Sequence, residues 1–404
     1  MDIKKIIKLD CNRYLGYYYL TGKKKIINIG FNKKSKKYKQ KILVYINYLW
    51  RKSKEIYYIF QRMERKAVIL IFLMLFLKNL VYGGLNPAAF LDLGVGARAT
   101  GMGGAFTSVS DDPTATYWNP AGLGRVTSVQ GSCMLDRLGS SEWPGIEDIN
   151  PSFQFVNIII PLNKIKVFNK GAVGISYESI RISDISKTYE DESGVVHDGT
   201  FNDIEKAYFL SAGFPLLSED VMLGGSFKYL TQEYTDIKDA KAWGWDVDGG
   251  LLISLNKRFD VGVFARKGAE LIWDNEHVDK GFPGTRIGLS YKRNIVENIS
   301  VLGAGDLIQN KDMPLKGCFG FEMSYCPDDF SHNNGIQSTS IRTGINSIAL
   351  ENRHNVMNII NQSLNWSLGG GIKFSFLNLN LQVDYAFDSH QLGAKHKISI
   401  IMEQ

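Results

Sequence analysis

The residues whose types and spacing suggest enzyme chemistry lie in a glycine-rich stretch between positions 84 and 125. Gly94-Val95-Gly96-Ala97-Arg98-Ala99 matches the G-x-G-x-x-A fingerprint of dinucleotide-binding folds, and Asp111 and Asp112 follow at a suitable distance. The fingerprint requires a helix of about three turns and then a second parallel strand. Five residues here break such a helix: Gly101, Gly103, Gly104, Pro113 and Pro120. We therefore predict that the protein binds no dinucleotide, and we expect no other cofactor.

Metal and nucleophile chemistry have no support in the sequence either. The six histidines lie at positions 197, 277, 332, 354, 390 and 396, without the i, i+4 spacing of a helical metal pair and without an H-E-x-x-H motif. Asp388-Ser389-His390 is a tight cluster, but consecutive residues of a strand or turn cannot form a catalytic triad among themselves. The four cysteines contain no C-x-x-C pair. We predict no catalytic residue, no metal site and no enzyme activity.

The same glycine-rich stretch is better suited to close packing. Its glycines allow the backbone to approach a neighbouring wall and to adopt positive φ angles, and Asn119-Pro120 is a turn signal. Arg98 with Asp111 or Asp112 would form a buried ion pair if the stretch is enclosed, whereas a solvated surface pair is the alternative.

Composition separates the chain into two unlike parts. The 404 residues carry 47 Lys and Arg against 41 Asp and Glu, but residues 1–62 hold 17 basic and 3 acidic groups, which leaves 30 basic and 38 acidic groups in residues 63–404. Residues 1–62 are mostly Lys, Ile, Tyr and Asn without a sustained helical or strand period. We interpret them as a spurious upstream extension or a disordered basic segment. A nucleic-acid-binding arm is the less favoured alternative, and we expect no nucleic-acid partner.

Residues 63–83 have the layout of a signal peptide. Met63-Glu64-Arg65-Lys66 precedes the uncharged apolar stretch 67–77, and Val81 and Gly83 follow near a suitable cleavage point. No apolar run reaches the roughly 18 to 20 residues of a membrane-spanning helix. We expect cleavage after Gly83 and export of the mature chain.

Residues 126–404 alternate apolar and polar residues in segments of about ten, separated by turn residues. In 285–291, Thr285, Ile287, Leu289 and Tyr291 share one face of a strand, and the polar or small residues share the other. The pattern predicts fourteen strands, near 126–136, 152–161, 171–181, 207–215, 221–233, 243–256, 259–267, 284–294, 299–309, 315–325, 338–349, 365–376, 377–388 and 396–403.

Strand length and number favour a transmembrane barrel over a soluble sandwich. Crossing a bilayer at a tilt takes about 9 to 11 residues per strand, and a closed barrel leaves no unpaired edge in the hydrocarbon. The export signal indicates that the apolar face meets lipid and the polar face lines the lumen. Aromatic residues near strand ends would form an interfacial girdle: Trp243, Trp273, Tyr325 and Trp366.

The stretch Gly94 to Leu123 resembles the N-terminal signature of the PorV/PorQ family of outer-membrane proteins. That signature contains, in this order, G-x-G-x-R, M-G-G-A-F, a D-D pair and W-N-P-A-G-L, and FadL-type barrels resemble the stretch more weakly. The matching residues are Gly94, Gly96, Arg98, Met102, Gly103, Gly104, Asp111, Asp112, Trp118, Asn119, Pro120, Ala121, Gly122 and Leu123.

The resemblance implies an all-β protein: a transmembrane, antiparallel, FadL-like barrel of about fourteen strands with an N-terminal plug in the lumen. Residues 84–125 would form the plug and 126–404 the barrel. The outer-membrane lipid would be one partner. Four charges on predicted polar faces are candidates to face the lumen and hold the plug: Lys228, Arg286, Lys292 and Asp384.

Two functions follow as hypotheses. The PorV/PorQ resemblance suggests a non-enzymatic accessory that binds or shuttles exported proteins at the outer membrane, as in type IX secretion, with secreted cargo or secretion-system components as partners. The FadL-like resemblance suggests a channel for the uptake of hydrophobic or small solutes, gated by the plug. The predicted lumen faces are rich in Gly, Ser, Lys, Arg, Asp and Asn, which favours the binding role or a polar pore.

Overall fold

The computed structural model describes residues 8–10, 15–20, 23–28, 87–138, 151–163, 170–191, 194–216, 218–311, 313–327, 335–349, 365–376, 379–389 and 394–404. The chain divides into two compact units, residues 1–74 and 75–404. The signal peptide predicted at 63–83 and its cleavage point lie outside the described residues.

The first unit contains a small antiparallel sheet of three strands: β1 (Lys8–Asp10), β2 (Leu15–Leu20) and β3 (Lys23–Asn28). The sequence of residues 1–62 shows no sustained strand period, and our interpretation of them as a spurious upstream extension or a disordered basic segment stays a prediction. The aromatic run Tyr17 to Tyr19 in β2 and the isoleucines of β3 have high strand propensity, which explains extended backbone in a Lys-rich segment.

The second unit is built mainly from antiparallel strands. They are β4 (Gln130–Leu138), β5 (Ser152–Pro161), β6 (Ala172–Asp191), β7 (Gly194–Pro215), β8 (Val221–Tyr234), β9 (Lys241–Ser254), β10 (Phe259–Arg266), β11 (Glu270–Trp273), β12 (Val278–Lys280), β13 (Gly284–Val296), β14 (Ile299–Asn310), β15 (Lys316–Tyr325), β16 (Gly335–Ala349), β17 (Asn365–Phe376), β18 (Leu379–Asp388) and β19 (Lys395–Glu403).

Fourteen of these strands, β4–β10 and β13–β19, close into a barrel. Strands adjacent in this order pair antiparallel; β10 pairs with both β9 and β13, and the last strand, β19, pairs with the first, β4. The short hairpin β11–β12 adds to the free part of β9 beyond the end of β10. The predicted transmembrane barrel of about fourteen strands is therefore confirmed.

Side chains of the wall alternate as predicted for a membrane barrel. Along β13 the outward Ile287 and Leu289 are 47% and 50% exposed, whereas the inward Ser290 is buried. On β8 and β18 the inward charges Lys228 and Asp384 are buried, and Tyr229 and Tyr385 on the other face are exposed. The apolar outer face is the surface that meets lipid, and the polar face lines the lumen.

The two ends of the barrel differ. At one end, which we call the short-turn end, β9 joins β10 and β13 joins β14 through a few residues; at the other end, the long-loop end, residues 267–283 connect β10 and β13. At the long-loop end β6 and β7 continue beyond their neighbours as a two-stranded ribbon, residues 182–202. In outer-membrane barrels the short turns face the periplasm.

The ribbon was not predicted. We ended one strand at residue 181 and began the next at 207, whereas β6 and β7 are 20 and 22 residues long. Register shifts between Ile182 and Ile185 and between Ser186 and Thr188 interrupt the period-two pattern, so the sequence there shows no continuous alternation. The hairpin β11–β12 was also not predicted. Its strands span only four and three residues, which is too short to show an alternating pattern.

Residues 87–125, which we call the plug, lie inside the barrel. They form four short helical segments: η1 (Ala89–Asp92), α1 (Ala97–Gly101), α2 (Ala115–Trp118) and η2 (Pro120–Arg125). Met102 and Phe106 of the plug pack in one buried cluster with Phe155 and Phe209 of the wall. The core of the molecule thus lies between plug and wall. Within the described residues, the helices are too short or too polar to cross a membrane.

Candidate functional site in the plugged lumen

Close backbone contacts fix the middle of the plug against the wall. Gly103 has a φ of 64°, and a Cβ atom there would lie 2.7 Å from the backbone nitrogen of Ile345. The Gly103 N–H donates to Oγ of Ser367 at 3.0 Å, and this hydroxyl donates to the carbonyl of Gly101 at 3.2 Å. On β16, Gly344 is the wall residue that allows this approach. A side chain at either glycine would separate plug from wall.

Asn119 connects the second half of the plug to the wall on the other side. Its Nδ2 donates to the carbonyl of Thr107 at 2.9 Å and to that of Leu251 on β9 at 3.2 Å. Its Oδ1 accepts from the N–H of Ala121 at 3.1 Å, which caps η2. The Nδ2 and Oδ1 atoms of this buried amide therefore connect two plug segments with one strand of the wall.

A group of four charged residues, which we call the arginine cluster, links plug and wall: Arg98, Glu322, Arg342 and Asp384. The Glu322 carboxylate accepts from Nε of Arg98 at 2.8 Å and from Nε of Arg342 at 2.6 Å, and Arg342 donates to Asp384 at 2.7 Å. All four lie in the buried interior or at its edge. Paired guanidinium and carboxylate groups with good geometry compensate the loss of water.

Arg98 also holds the two aspartates of the plug signature. Its Nη1 lies 2.5 Å from Asp111 and 3.5 Å from Asp112. Burial raises the pKa of the Asp112 carboxyl, while Arg98 and the hydrogen bonds from Thr114 act in the opposite direction. The expected ion pair of Arg98 exists with both aspartates, but its wall partner is Glu322 rather than Lys228, Arg286 or Asp384.

A second group, the lysine cluster, lies on β8, β9 and β10: Lys228, Asp246, Asp248 and Arg266. Nζ of Lys228 is 2.6 Å from Asp248 and 3.4 Å from Asp246, and Nε of Arg266 is 3.6 Å from each carboxylate. Arg266 reaches the plug through Asp92 at 2.8 Å. This cluster is therefore joined to the plug near η1.

Glu178 on β6 faces the same side of the lumen and is fully buried. Among the described residues neither of its carboxylate oxygens has a hydrogen-bond partner, and the same holds for the oxygens of Asp248 and Nε of Arg266. The polar groups near the lysine cluster are thus less completely bonded than those of the arginine cluster.

Further polar contacts run along the whole plug. Nζ of Lys397 donates to the carbonyls of Leu93 and Gly94 at 3.1 and 2.5 Å. The Asp306 carboxylate accepts the N–H groups of Phe106 and Thr107 at 3.1 and 3.0 Å. At the short-turn end, Arg125 pairs with Asp260 at 2.8 Å. Much of the polarity of the lumen wall is therefore directed at the plug.

The residues of the plug signature lie together inside the barrel. Arg98 is half-buried, Asp111 is exposed, and the others are buried: Gly94, Gly96, Met102, Gly103, Gly104, Asp112, Trp118, Asn119, Pro120, Ala121, Gly122 and Leu123. Of the four candidate lumen charges, Lys228 and Asp384 are buried in the lumen, and Arg286 is half-buried beside Trp118. Lys292 is exposed at the short-turn end of β13 and does not contact the plug.

Sequence reasoning missed several wall residues that hold the plug: Asp136, Asp246, Asp248, Arg266, Asp306, Glu322, Arg342 and Lys397. Each is a charge on the inward face of a strand, so inward charges on predicted strands would have identified them. Of the proposed girdle residues, Trp243, Tyr325 and Trp366 are exposed on the wall. Trp273 instead packs against the interior cluster and stacks on Tyr234, because it shares one face of β11 with the buried Leu271.

A cavity of about 190 Å³ opens at the long-loop end between the plug and strands β10, β13 and β14. Its lining combines apolar side chains, among them Leu91, Trp118, Phe264 and Ile308, with the charged side chains of Asp92, Arg266, Arg286 and Lys316. The Arg286 guanidinium lies 4.9 Å from the centroid of the Trp118 ring, a cation–π contact. In the part of the chain that the structure describes, no group of three or more His, Cys, Asp or Glu is arranged to hold a metal ion.

Comparisons with known proteins give likenesses to outer-membrane channels. No protein-family model matches the sequence, and no curated protein matches it. The chain is similar to the toluene transporter TbuX of Ralstonia pickettii, with 12% identity over 77% of this chain and 97% of that one and a TM-score of 0.47. The toluene transporter TodX of P. putida gives 12% identity, 77% and 98% coverage and a TM-score of 0.47.

A FadL homologue of Pseudomonas aeruginosa is also similar, with 9% identity over 80% of this chain and 98% of that one and a TM-score of 0.40. FadL-type channels are thus found again among solved structures, while the PorV/PorQ assignment stays a prediction. At these identities and TM-scores the likenesses carry no functional argument, and the barrel architecture rests on the strand pairing of the chain itself.

Proposed function

We propose that the protein is an outer-membrane channel for small hydrophobic solutes, with the plug as its gate. The observation that carries the proposal is the cavity at the long-loop end, where Leu91 and Trp118 of the plug face Phe264 and Ile308 of the wall. Charged side chains complete its lining: Asp92, Arg266, Arg286 and Lys316. An apolar cavity of about 150 Å³ is large enough for benzene, so the 190 Å³ cavity suits a solute of about one ring.

The polar character of the lumen does not oppose this function. The sequence alone favoured a polar pore or a binding role, since the inward faces are rich in charges. In the structure, Glu322, Asp306 and Lys397 bind the plug rather than line an open passage. The apolar side chains of the cavity offer contacts to a solute, because transferring an apolar solute from water to such a surface is favourable.

The gate is placed at η1 in this proposal. Leu91 of η1 forms part of the cavity, and its carbonyl accepts a hydrogen bond from the Tyr117 hydroxyl at 2.6 Å. Asp92 binds Arg266 on the surface side of the lysine cluster. Displacement of η1 requires the loss of these two contacts, whereas the arginine cluster and the Gly103 contact remain.

Binding of toluene to the purified protein in detergent tests the proposal. Ile308→Ala removes part of the apolar cavity wall and should weaken binding roughly tenfold, since losing a few buried methyl groups removes one to two kcal/mol. The matched control is Ile287→Ala on the lipid-facing side of β13, which should bind as the parent does. Equal binding by the parent and Ile308→Ala would refute the cavity as the solute site.

A second candidate function, an accessory for exported proteins, is favoured by one specific observation. The ribbon 182–202 extends beyond the wall at the long-loop end and offers a surface that a solute channel does not need. Deletion of residues 184–201 should then abolish co-purification of exported proteins from the native cell while toluene binding remains. Unchanged co-purification after the deletion would contradict a role of the ribbon in binding exported proteins.

A further inference from the structure

Four cationic side chains lie together at the short-turn end of the barrel. Lys257 and Arg258 belong to the turn between β9 and β10, and Lys292 and Arg293 belong to the end of β13. With Asn294 they line an open depression of about 460 Å³. The Lys292 N–H donates to the carbonyl of Arg258 at 2.8 Å, so the backbone holds the two strand ends side by side.

These four cations are not neutralised within the described part of the protein. Other cations at this end have acidic partners: Arg125 with Asp260, Lys170 with Glu219, and Lys373 with Glu403. None of the four makes an ion pair with a described carboxylate, and all four are exposed. Residues 63–404 carry an excess of acidic groups, so a concentration of positive charge at one place is a local feature that attracts an anion.

Apolar side chains flank the depression in the sequence, beside polar ones such as Asn256. Leu255 and Ile295, next to it in sequence, are 62% and 61% exposed. Phe259 and Tyr291 pair across β10 and β13 with ring centroids 4.8 Å apart. Aromatic residues occupy the membrane interface of barrels. The cations therefore lie where the lipid-facing band of the wall ends and the short turns begin.

We propose that this depression binds the phosphate headgroup of an anionic phospholipid in the leaflet that the short turns face. Guanidinium groups bind phosphate oxygens in pairs, and lysines add positive charge. The exposed side chains of Leu255 and Ile295 would contact the acyl chains. Inorganic phosphate gains nothing from these apolar neighbours, which is why the lipid is the chosen ligand. The proposal is independent of the solute channel.

Native mass spectrometry in a neutral detergent tests this site on the whole protein. The protein is incubated with equal amounts of phosphatidylglycerol and phosphatidylcholine, and the lipids retained are measured. The parent should retain phosphatidylglycerol in preference. The variant Lys257→Gln, Arg258→Gln, Lys292→Gln, Arg293→Gln should lose that preference by about tenfold or more, because each cation near an anionic lipid surface contributes measurably.

The control variant carries the same charge change at the long-loop end: Lys187→Gln, Lys238→Gln, Lys241→Gln, Lys267→Gln. It should keep the parent's preference, and heat-modifiable gel mobility checks that both variants are folded barrels. An equal loss in the control, or no loss in the first variant, would overturn the proposal. Complete displacement of phosphatidylglycerol by inorganic phosphate would show that the site recognises phosphate without the lipid, which also overturns it.

Discussion

The arginine cluster and the lysine cluster hold the same plug in different ways. In the arginine cluster, Glu322 receives hydrogen bonds from both Arg98 and Arg342, and Arg342 continues to Asp384. Near the lysine cluster, Glu178 and Asp248 are buried without hydrogen bonds among the described residues, although Lys228 is within ion-pair distance of Asp248. The charged groups of the arginine cluster are therefore bonded to one another, whereas two buried carboxylates near the lysine cluster accept no described hydrogen bond.

This difference between the clusters indicates which side of the plug is anchored and which side can move. A buried polar group without a hydrogen bond costs about 1 to 3 kcal/mol, so the side near Glu178 favours any rearrangement that supplies partners or water. That side also borders the cavity, through Arg266. The arginine cluster would lose well-formed bonds if it moved. We infer that the plug is fixed at the arginine cluster and can shift near the lysine cluster.

The largest expected effect comes from removing the centre of the arginine cluster. Arg342→Ala leaves Glu322 and Asp384 buried without this partner, so the free energy of unfolding should fall by about 3 to 5 kcal/mol. Denaturant unfolding in detergent micelles measures it. Arg181→Ala, at an exposed position on β6, serves as the control and should change stability by less than about 0.5 kcal/mol. A similar small change in both variants would contradict the anchoring role.

A somewhat smaller effect is expected from Gly103→Val. Both Gly103 and Gly199 have positive φ angles, but a Cβ atom at Gly103 meets the Ile345 backbone at 2.7 Å and one at Gly199 meets nothing within 4 Å. Gly199→Val therefore measures backbone strain alone, roughly 1 to 3 kcal/mol. Gly103→Val should lose about 1 to 3 kcal/mol more through overpacking, and it should raise single-channel conductance in planar bilayers. Equal losses in the two variants would show that plug and wall do not touch there.

The smallest effect distinguishes the two clusters most directly. A Glu→Gln substitution should lower the free energy of unfolding in the arginine cluster and raise it near the lysine cluster. Glu322→Gln removes a charge that two guanidinium groups need, and should lower the free energy of unfolding by about 2 kcal/mol. Glu178→Gln replaces a buried ionisable group that has no described hydrogen-bond partner by an amide, and should raise the free energy of unfolding by about 1 kcal/mol. Thermal unfolding of both variants at neutral pH is the measurement. Destabilisation by Glu178→Gln would mean that this carboxylate already has a partner.

The wall was predictable from sequence because a strand with one lipid face and one lumen face alternates at period two. The bounds of β5 and β17 agree with the predicted segments 152–161 and 365–376. The partners of the plug were not predictable in the same way. Arg98 pairs with Glu322, 224 residues away, and which strand lies opposite a plug residue depends on barrel closure and register. The ribbon was not predicted, because its bulges interrupt the alternation of apolar and polar residues from which strands are recognised.

The location of the plug also sets an order of assembly. Synthesis produces the plug first, but the wall closes only when β19, the last strand, pairs with β4. The plug contacts early strands through Asn119 and Leu251 and late strands through Gly103 and Ser367. The plug is therefore available as a scaffold on which the strands can pack. The pairing of β19 with β4 then encloses a core that is already present. The segment that we propose as a gate would then also serve, during folding, as the template of the barrel.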